Sequence, residues 1–397
     1  MILATSNIYG GYMDKNDIAY KKFVAMGDHI LVPKNDNFTP SSRTPWGGTE
    51  IVADYKSHLG IVNDDVVGES WEISGHPSFP NIFPLDGDDI SLIALERLIP
   101  EKLYGPEVKA MPFLVKLLNS GSWEGYRTQL DIDGIDIMDN DALHHHLSDL
   151  GTFSELHKEM LTKNLSVQVH PKKGDFVDKP PKTEAWVILG AEKGAGIYLG
   201  IKEGVSKEEF EKCMRAGEDL TTFLNFVEVS SGDVYFIPAG TLHAIGAGIT
   251  LLEAQETSES TFRAYDWGRL DNSGMPRQLH YDETLLSTTW DGLRGEALVA
   301  SLKKTPVAVD DIAECLLDAE EFGVNRLTIP SEKECRSDST ATGIQGLTVI
   351  EGALEAFVDG TLEGSFRKGQ SFLVPAAVGA FTLMAKNDTA IVIQTTS

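Results

Sequence analysis

The sequence predicts a mainly β protein built as two barrels, with a helical insertion in the first. Three observations predict it. Glycine is abundant, at 37 of 397 residues, and short apolar runs alternate with turn residues. The stretch FVEVSSGDVYFIPAGTLHAIGAGITLLEAQE reads as strand and turn in alternation, and short strands continue from about residue 300 to the end. The spacing from Gly232 to Pro238 returns between Gly369 and Pro375, the mark of an internal repeat.

The elements follow in order. Residues 1–45 are mixed and polar and read as an N-terminal extension over the main body. The first unit is expected over 46–119 and 164–300, interrupted by the insertion at 120–163. Within it Glu69–Ile73 reads as a strand, 90–103 has helical spacing, and FLVKLL at 113–118 reads as a buried strand. The insertion opens on an acidic loop, DIDGIDIMDND, and continues with helical character. That loop fails as an EF-hand, because Gly134 comes too early and no Glu stands at the twelfth position from Asp131. His144, His145 and His146 are consecutive. On a helix they point about 100° apart and cannot share one inward metal. Next come the strands LSVQVHP, KTEAWVIL and GIYLGI, then an amphipathic helix over 205–223. Residues 301–397 make the second unit.

Composition excludes several classes. The length suits two or three domains. A net charge of -26 would repel a phosphate backbone, so nucleic acid is not an expected partner. An anionic metabolite would need a local basic cluster to reverse that field. No run of about 18 apolar residues is present, so no membrane span is expected, and the first residues lack a signal-peptide pattern. Cys213, Cys315 and Cys335 are odd in number and form no CxxC pair. They suit a reducing cytoplasm and speak against a thiolate zinc site.

The chemistry gathers at four positions. On a strand, Gln168 and His170 project together while Val169 faces the other layer. On the following strand Lys182 and Glu184 share a face by the same period. If the two strands lie side by side, Gln168, His170 and Glu184 converge. His243 follows the Pro238 and Gly240 corner, where a strand ends and turns inward. One amide oxygen, one carboxylate and two imidazoles suit zinc, with manganese, iron or cobalt also open. A set without thiolates and with a single charged ligand leaves the metal net positive and an open position, as Lewis-acid catalysis requires.

The run from Gly232 to His243 resembles the second cupin motif, and Gln168 with His170 stands where the first motif places its histidine pair. Taken together, Trp46-Gly47-Gly48, Gly68-Glu69-Ser70-Trp71-Glu72, Leu114-Val115-Lys116, Ser166 to Pro171, Lys182-Thr183-Glu184, Pro238 to Ile245 and Thr261 to Gly268 resemble the type I phosphomannose isomerases, in family order over 46–280. The resemblance implies two cupin-type jelly rolls, one zinc held by Gln168, His170, Glu184 and His243, and catalytic roles for Lys182 and Arg263. It implies interconversion of mannose 6-phosphate and fructose 6-phosphate through a cis-enediol(ate). A small sugar phosphate is then the partner, and monomer and homodimer both stay open. A zinc ion near Lys182 would lower its pKa, while Arg263 suits phosphate or an enediolate oxygen. The general base is unassigned.

The departures are Glu259, where the family has Asp, and Lys172 and Lys173, where it has acidic residues. In the second unit Ala380 occupies the place of His243, so that barrel is expected to be degenerate and without metal. A non-catalytic sugar-binding bicupin, an isomerase of free sugars and an iron dioxygenase are the alternatives, since cupins host many chemistries.

Overall fold

The structure is a computed structural model that describes residues 18–85, 88–106, 111–122, 163–270 and 274–397. The acidic loop, His144, His145, His146 and nearly all of the 120–163 insertion lie outside the described residues. Among the described residues no helix is long and apolar enough to cross a membrane.

The first half supplies strands β1 (Glu69–Ile73), β2 (Ile82–Leu85), β3 (Asp88–Ser91), β4 (Phe113–Asn119), β5 (Val167–Val169) and β6 (Glu184–Ala191). They are followed by β7 (Gly196–Ile201), β8 (Leu224–Glu228), β9 (Val234–Ile237), β10 (His243–Ile245), β11 (Ile249–Glu256), β12 (Phe262–Tyr265) and β13 (Lys303–Lys304). Two antiparallel sheets result, in the orders β1-β4-β11-β6-β9-β13 and β12-β5-β10-β7-β8. Their facing sides enclose one apolar core that includes Trp186, Ile188, Leu199, Tyr235 and Leu251. The outer face of the second sheet is covered by helix α4 (Lys207–Ala216); α1 (Ile18–Met26), α2 (Leu92–Leu98) and α3 (Pro100–Tyr104) precede it in the chain, and α5 (Tyr281–Ser287) and α6 (Gly295–Leu302) follow.

Local chemistry explains these boundaries. The helical spacing over 90–103 yields two short helices, because Pro100 has no amide hydrogen to continue α2 and instead starts α3. Helix α4 begins at a Ser206–Glu209 capping box and stops at Gly217, in the left-handed region at φ 73°. The amphipathic pattern over 205–223 is therefore divided, its last turn being a separate 3-10 segment at Leu220–Phe223.

The C-terminal part forms a second sandwich. Its strands are β14 (Val307–Ala308), β15 (Ala313–Asp318), β16 (Gly323–Ile329), β17 (Glu334–Asp338) and β18 (Gln345–Glu351). The chain ends through β19 (Ala353–Val358), β20 (Thr361–Arg367), β21 (Ser371–Val374), β22 (Ala380–Ala385) and β23 (Ala390–Thr396). The sheet orders are β14-β15-β16-β23-β18-β21 and β17-β22-β19-β20. Ala380, in the place of His243, opens β22.

The sandwiches share a core. Phe113, Val115 and Leu117 leave one face of β4 and join Phe322, Leu373 and Ile393 in a single apolar cluster. Both faces of β4 are thus covered, which is why FLVKLL shows no polar alternation. A buried ion pair crosses the same seam. Lys56 Nζ lies 2.7 Å from Glu72 Oε1 and donates to the Gly369 carbonyl at 2.6 Å. Glu72 also accepts from Ser70 at 2.6 Å and from Ser371 at 2.9 Å. Gly369 sits at φ 81°, and a Cβ there would lie 1.7 Å from the Tyr55 carbonyl oxygen, so only glycine fits. Lys56→Ala is expected to reduce unfolding free energy by about 3–5 kcal/mol, because Glu72 would be left buried without its cation. Urea denaturation measures this. A loss below about 1 kcal/mol would mean that Glu72 is satisfied without Lys56.

Candidate metal centre and catalytic cavity

Register brings the predicted residues together. Gln168 on β5 is opposite His243 of β10 on one side and Arg263 of β12 on the other. Directly opposed residues share a face, so all three side chains point into the sandwich. Val167 and Val169 point the other way, into the layer under α4. From the facing sheet, Glu184 opens β6 and is opposite Gln255 and Ile237. Lys182 lies just ahead of β6 rather than on it, yet its Nζ still reaches Glu184 Oε1 at 2.5 Å.

His170, Glu184 and His243 form the candidate metal centre, with one ligand atom from each lying within 4.8 Å of the others. All three are buried. His170 Nδ1 pairs with the Ser260 carbonyl at 2.8 Å, and His243 Nδ1 with the Thr241 carbonyl at 2.9 Å. A carbonyl only accepts, so both Nδ1 atoms carry hydrogen and both Nε2 atoms turn lone pairs inward. His170 Nε2 stands 3.0 Å from Glu184 Oε1, and His243 Nε2 stands 3.7 Å from Glu184 Oε2. Although close, His170 Nε2, His243 Nε2 and Glu184 Oε1 make no well-aligned hydrogen bond. Buried acceptors left this way are what a cation would satisfy, and the N/O donor set fits a single zinc ion.

Electrostatics prepare the same state. Burial, and then the Lys182 charge, push His170 down to about 4, and burial lowers His243 as well. Both imidazoles are therefore neutral near pH 7, the form that ligates. Burial opposes ionisation of Glu184, but Lys182 and the two histidines outweigh it and hold its carboxyl well below the usual range. Burial also opposes the Lys182 charge, yet Glu184, Glu253 and Glu69 raise its pKa. Without metal the lysine is thus a firm cation. The lowered pKa expected beside zinc is not what the surrounding carboxylates produce.

A cavity of about 510 Å³ opens beside the centre. Gln168, Lys182 and Arg263 line it, and so do Trp71, Lys116 and Glu253. Trp71 and Lys116 belong to motifs quoted above, whereas Glu253 lies outside them. The three form a cross-strand row in which Trp71 is opposite Lys116 and Lys116 opposite Glu253. Lys116 Nζ lies 4.1 Å above the Trp71 ring and 3.7 Å from Glu253 Oε1. Trp186 Nε1 donates to Glu253 at 3.0 Å and to Glu184 at 3.1 Å, so one indole ties the two carboxylates together. Burial and the nearby Glu184 push Glu253 up to about 7, against the opposing pull of Lys182 and Lys116. The available sequence signal was a charge inside each of two apolar runs, FLVKLL and LLEAQ.

The segment expected as a bare extension also reaches the site. Thr39, Ser42, Arg43 and Thr44 line the cavity. The close turn is possible because Gly47 has no Cβ, which would otherwise lie 2.4 Å from the Gly68 amide nitrogen. Glu259 pairs with His76 at 3.1 Å, not with Arg263. Arg263 instead donates to the Gln278 carbonyl at 2.9 Å and stands 4.0 Å from Asp266. Lys172 donates to the Ser287 carbonyl at 2.5 Å and is not among the residues lining the cavity.

No protein-family model matches the chain. It is 29% identical over 247 residues to the mannose-6-phosphate isomerase of Streptococcus mutans, a match covering 60% of this chain and 63% of that one, under two thirds of the relative's length. It is 30% identical over 250 residues to mannose-6-phosphate isomerase ManA of Bacillus subtilis, covering 60% of this chain and 76% of the relative. The crystal structure of the mannose 6-phosphate isomerase from Bacillus subtilis superimposes with a TM-score of 0.69 at 24% identity, over 92% of this chain and 98% of that one. A zinc-bound mannose 6-phosphate isomerase has the same fold, with a TM-score of 0.63 at 14% identity over 92% and 98% of the two chains. The likeness in sequence to ManA, together with the shared fold, places this chain in the type I mannose-6-phosphate isomerase family.

Proposed function

We propose that the chain interconverts mannose 6-phosphate and fructose 6-phosphate, with one zinc ion held by Gln168, His170, Glu184 and His243. The observation that carries this reading is the buried His170–Glu184–His243 donor set, which Lys182 and Gln168 connect to a cavity that Glu253 also lines. Gln168 shares the inward face with His243 and adds the fourth donor. Zinc bound there supplies positive charge that polarises the substrate oxygens.

The reaction moves one proton between C2 and C1 and needs no co-reactant. A proton leaves C2 of the aldose, an enediolate forms, and a proton is delivered to C1 while the hydroxyl proton moves from O2 to O1. Glu253, with its carboxyl near pKa 7, is suited to take and return a proton at physiological pH. Lys182, held as a cation, stabilises the negative charge that develops on the enediolate oxygens. Arg263 closes the inward face beside Gln168 and fixes the sugar's position. The C-terminal sandwich, which begins at β14, acts as structural support. The free thiols of Cys213, Cys315 and Cys335 suit a cytoplasmic setting.

Turnover of mannose 6-phosphate, with and without a chelator and zinc add-back, tests this directly. Turnover abolished by chelation and restored by zinc is the expected result, with free mannose a far poorer substrate. A folded, zinc-loaded protein that turns over no mannose 6-phosphate would exclude the assignment.

A further inference from the structure

We propose that the phosphate of the substrate is received by a rim cluster in which Arg43 and Arg277 join Arg263, and that Arg277 sets the preference for phosphorylated over free sugar. The inference rests on the isomerase reading above.

The cavity inverts the charge balance of the chain. The whole protein carries 60 acidic and 34 basic residues. The cavity lining carries five basic residues, Arg43, Lys116, Lys182, Arg263 and Arg277, against three acidic ones, Glu69, Glu253 and Glu259. Each of the three acids has a partner of its own. Glu69 accepts from the Thr39 hydroxyl at 2.7 Å, Glu253 from Trp186 at 3.0 Å, and Glu259 pairs with His76 at 3.1 Å. Lys116 and Lys182 belong to the metal end, where Glu253 and Glu184 face them. The three arginines remain for an incoming anion.

Their anchoring supports this role. Asp266 is buried and is not part of the cavity lining, so it holds the guanidinium groups from behind. Arg277 donates to both Asp266 oxygens, Nε to Oδ2 at 2.6 Å and Nη2 to Oδ1, and Arg269 Nη2 lies 2.5 Å from Asp266 Oδ1. With those two cations on one carboxylate, Arg263 stays 4.0 Å away, and its Nε has no hydrogen-bond partner among the described residues. Burial and then the Arg277 charge lower the Arg263 pKa, as expected of a cation facing more positive charge than its counter-ion offsets. Arg43 is steadied from outside by the Phe79 ring, 5.2 Å from its guanidinium carbon. A guanidinium held by a carboxylate or carbonyl from behind keeps its charge and its remaining N–H groups for charge-assisted contacts to phosphate.

Distance also fits. Arg263 and His243 lie on strands either side of β5, so their backbones are about 10 Å apart at ordinary strand spacing. A sugar with C1 and C2 at the metal end extends its far end toward the arginines.

The test compares zinc-loaded wild type, Arg277→Gln and Arg43→Gln. Inorganic phosphate binding is measured by calorimetry, and kcat and KM are measured for mannose 6-phosphate and for free mannose. For each variant phosphate affinity should fall and KM for the phosphorylated sugar should rise by about 10- to 100-fold, the loss expected for one charge-assisted contact. The loss in kcat/KM should be larger for mannose 6-phosphate than for free mannose. Unchanged phosphate affinity and KM in folded Arg277→Gln would overturn the proposal, and so would equal losses on both sugars. If Arg277→Gln does not fold, Arg277→Lys decides: it keeps the charge but not the fork, and should weaken phosphate binding by less. A wild type that binds phosphate but turns over nothing would refute the isomerase reading while the variants still decide the anion site.

Discussion

Lys182→Met is expected to lower kcat about a thousandfold while zinc content stays near one ion per chain. General acid–base and charge-stabilising groups of this kind contribute about 10²- to 10⁴-fold. The lysine is buried, so methionine replaces its volume with little repacking. What disappears is the cation 2.5 Å from Glu184 Oε1, which also raises the acidity of Glu184 and opposes the upward push on Glu253. Zinc would still be held through His170 and His243, whose Nδ1 atoms are anchored independently of Lys182. Steady-state kinetics beside metal analysis separates the two effects. A variant with full zinc and kcat within about tenfold of wild type would remove Lys182 from the chemistry. A variant that loses zinc in step with activity would make it a support for the metal site.

His243→Ala should strip the site of metal and bring turnover down by about a thousandfold or more, since three protein donors hold zinc far less tightly than four. The residue is buried and fixed by Thr241, so no exposed side chain can swing in to replace it. The variant should also lose the rise in melting temperature that zinc gives the wild type, because a ligand stabilises only the state that binds it. Metal content after dialysis and thermal unfolding with and without zinc check both points. Full zinc retention and an unchanged zinc-dependent melting shift would exclude His243 from the ligand set.

The candidate metal centre was more legible in the chain than the cavity around it. Gln168 lies on β5 and His170 just past its end, and His243 follows a proline–glycine corner, so local periodicity and turn chemistry marked them as candidates, while their convergence depends on strand pairing. Glu253 and Lys116 meet only because β11 pairs with β4, across more than 130 residues. No local pattern reports such a neighbour. The polar stretch before Trp46 carried no periodicity, so nothing in it told that Thr39 and Arg43 would wall the cavity. The helices erred in extent rather than in kind, since Pro100 and Gly217 divide patterns whose apolar spacing runs straight through them.

The apolar cluster that joins Phe113 and Val115 to Phe322 and Ile393 makes each sandwich part of the other's core. A gene ending before the second sandwich would translate into a chain whose β4 and β6 surfaces stand bare. The C-terminal sandwich thus covers apolar surface of the first, a task that the seam residues perform and that Ala380, which is not among them, does not share. Catalytic descent and structural descent can then proceed at different rates within one polypeptide.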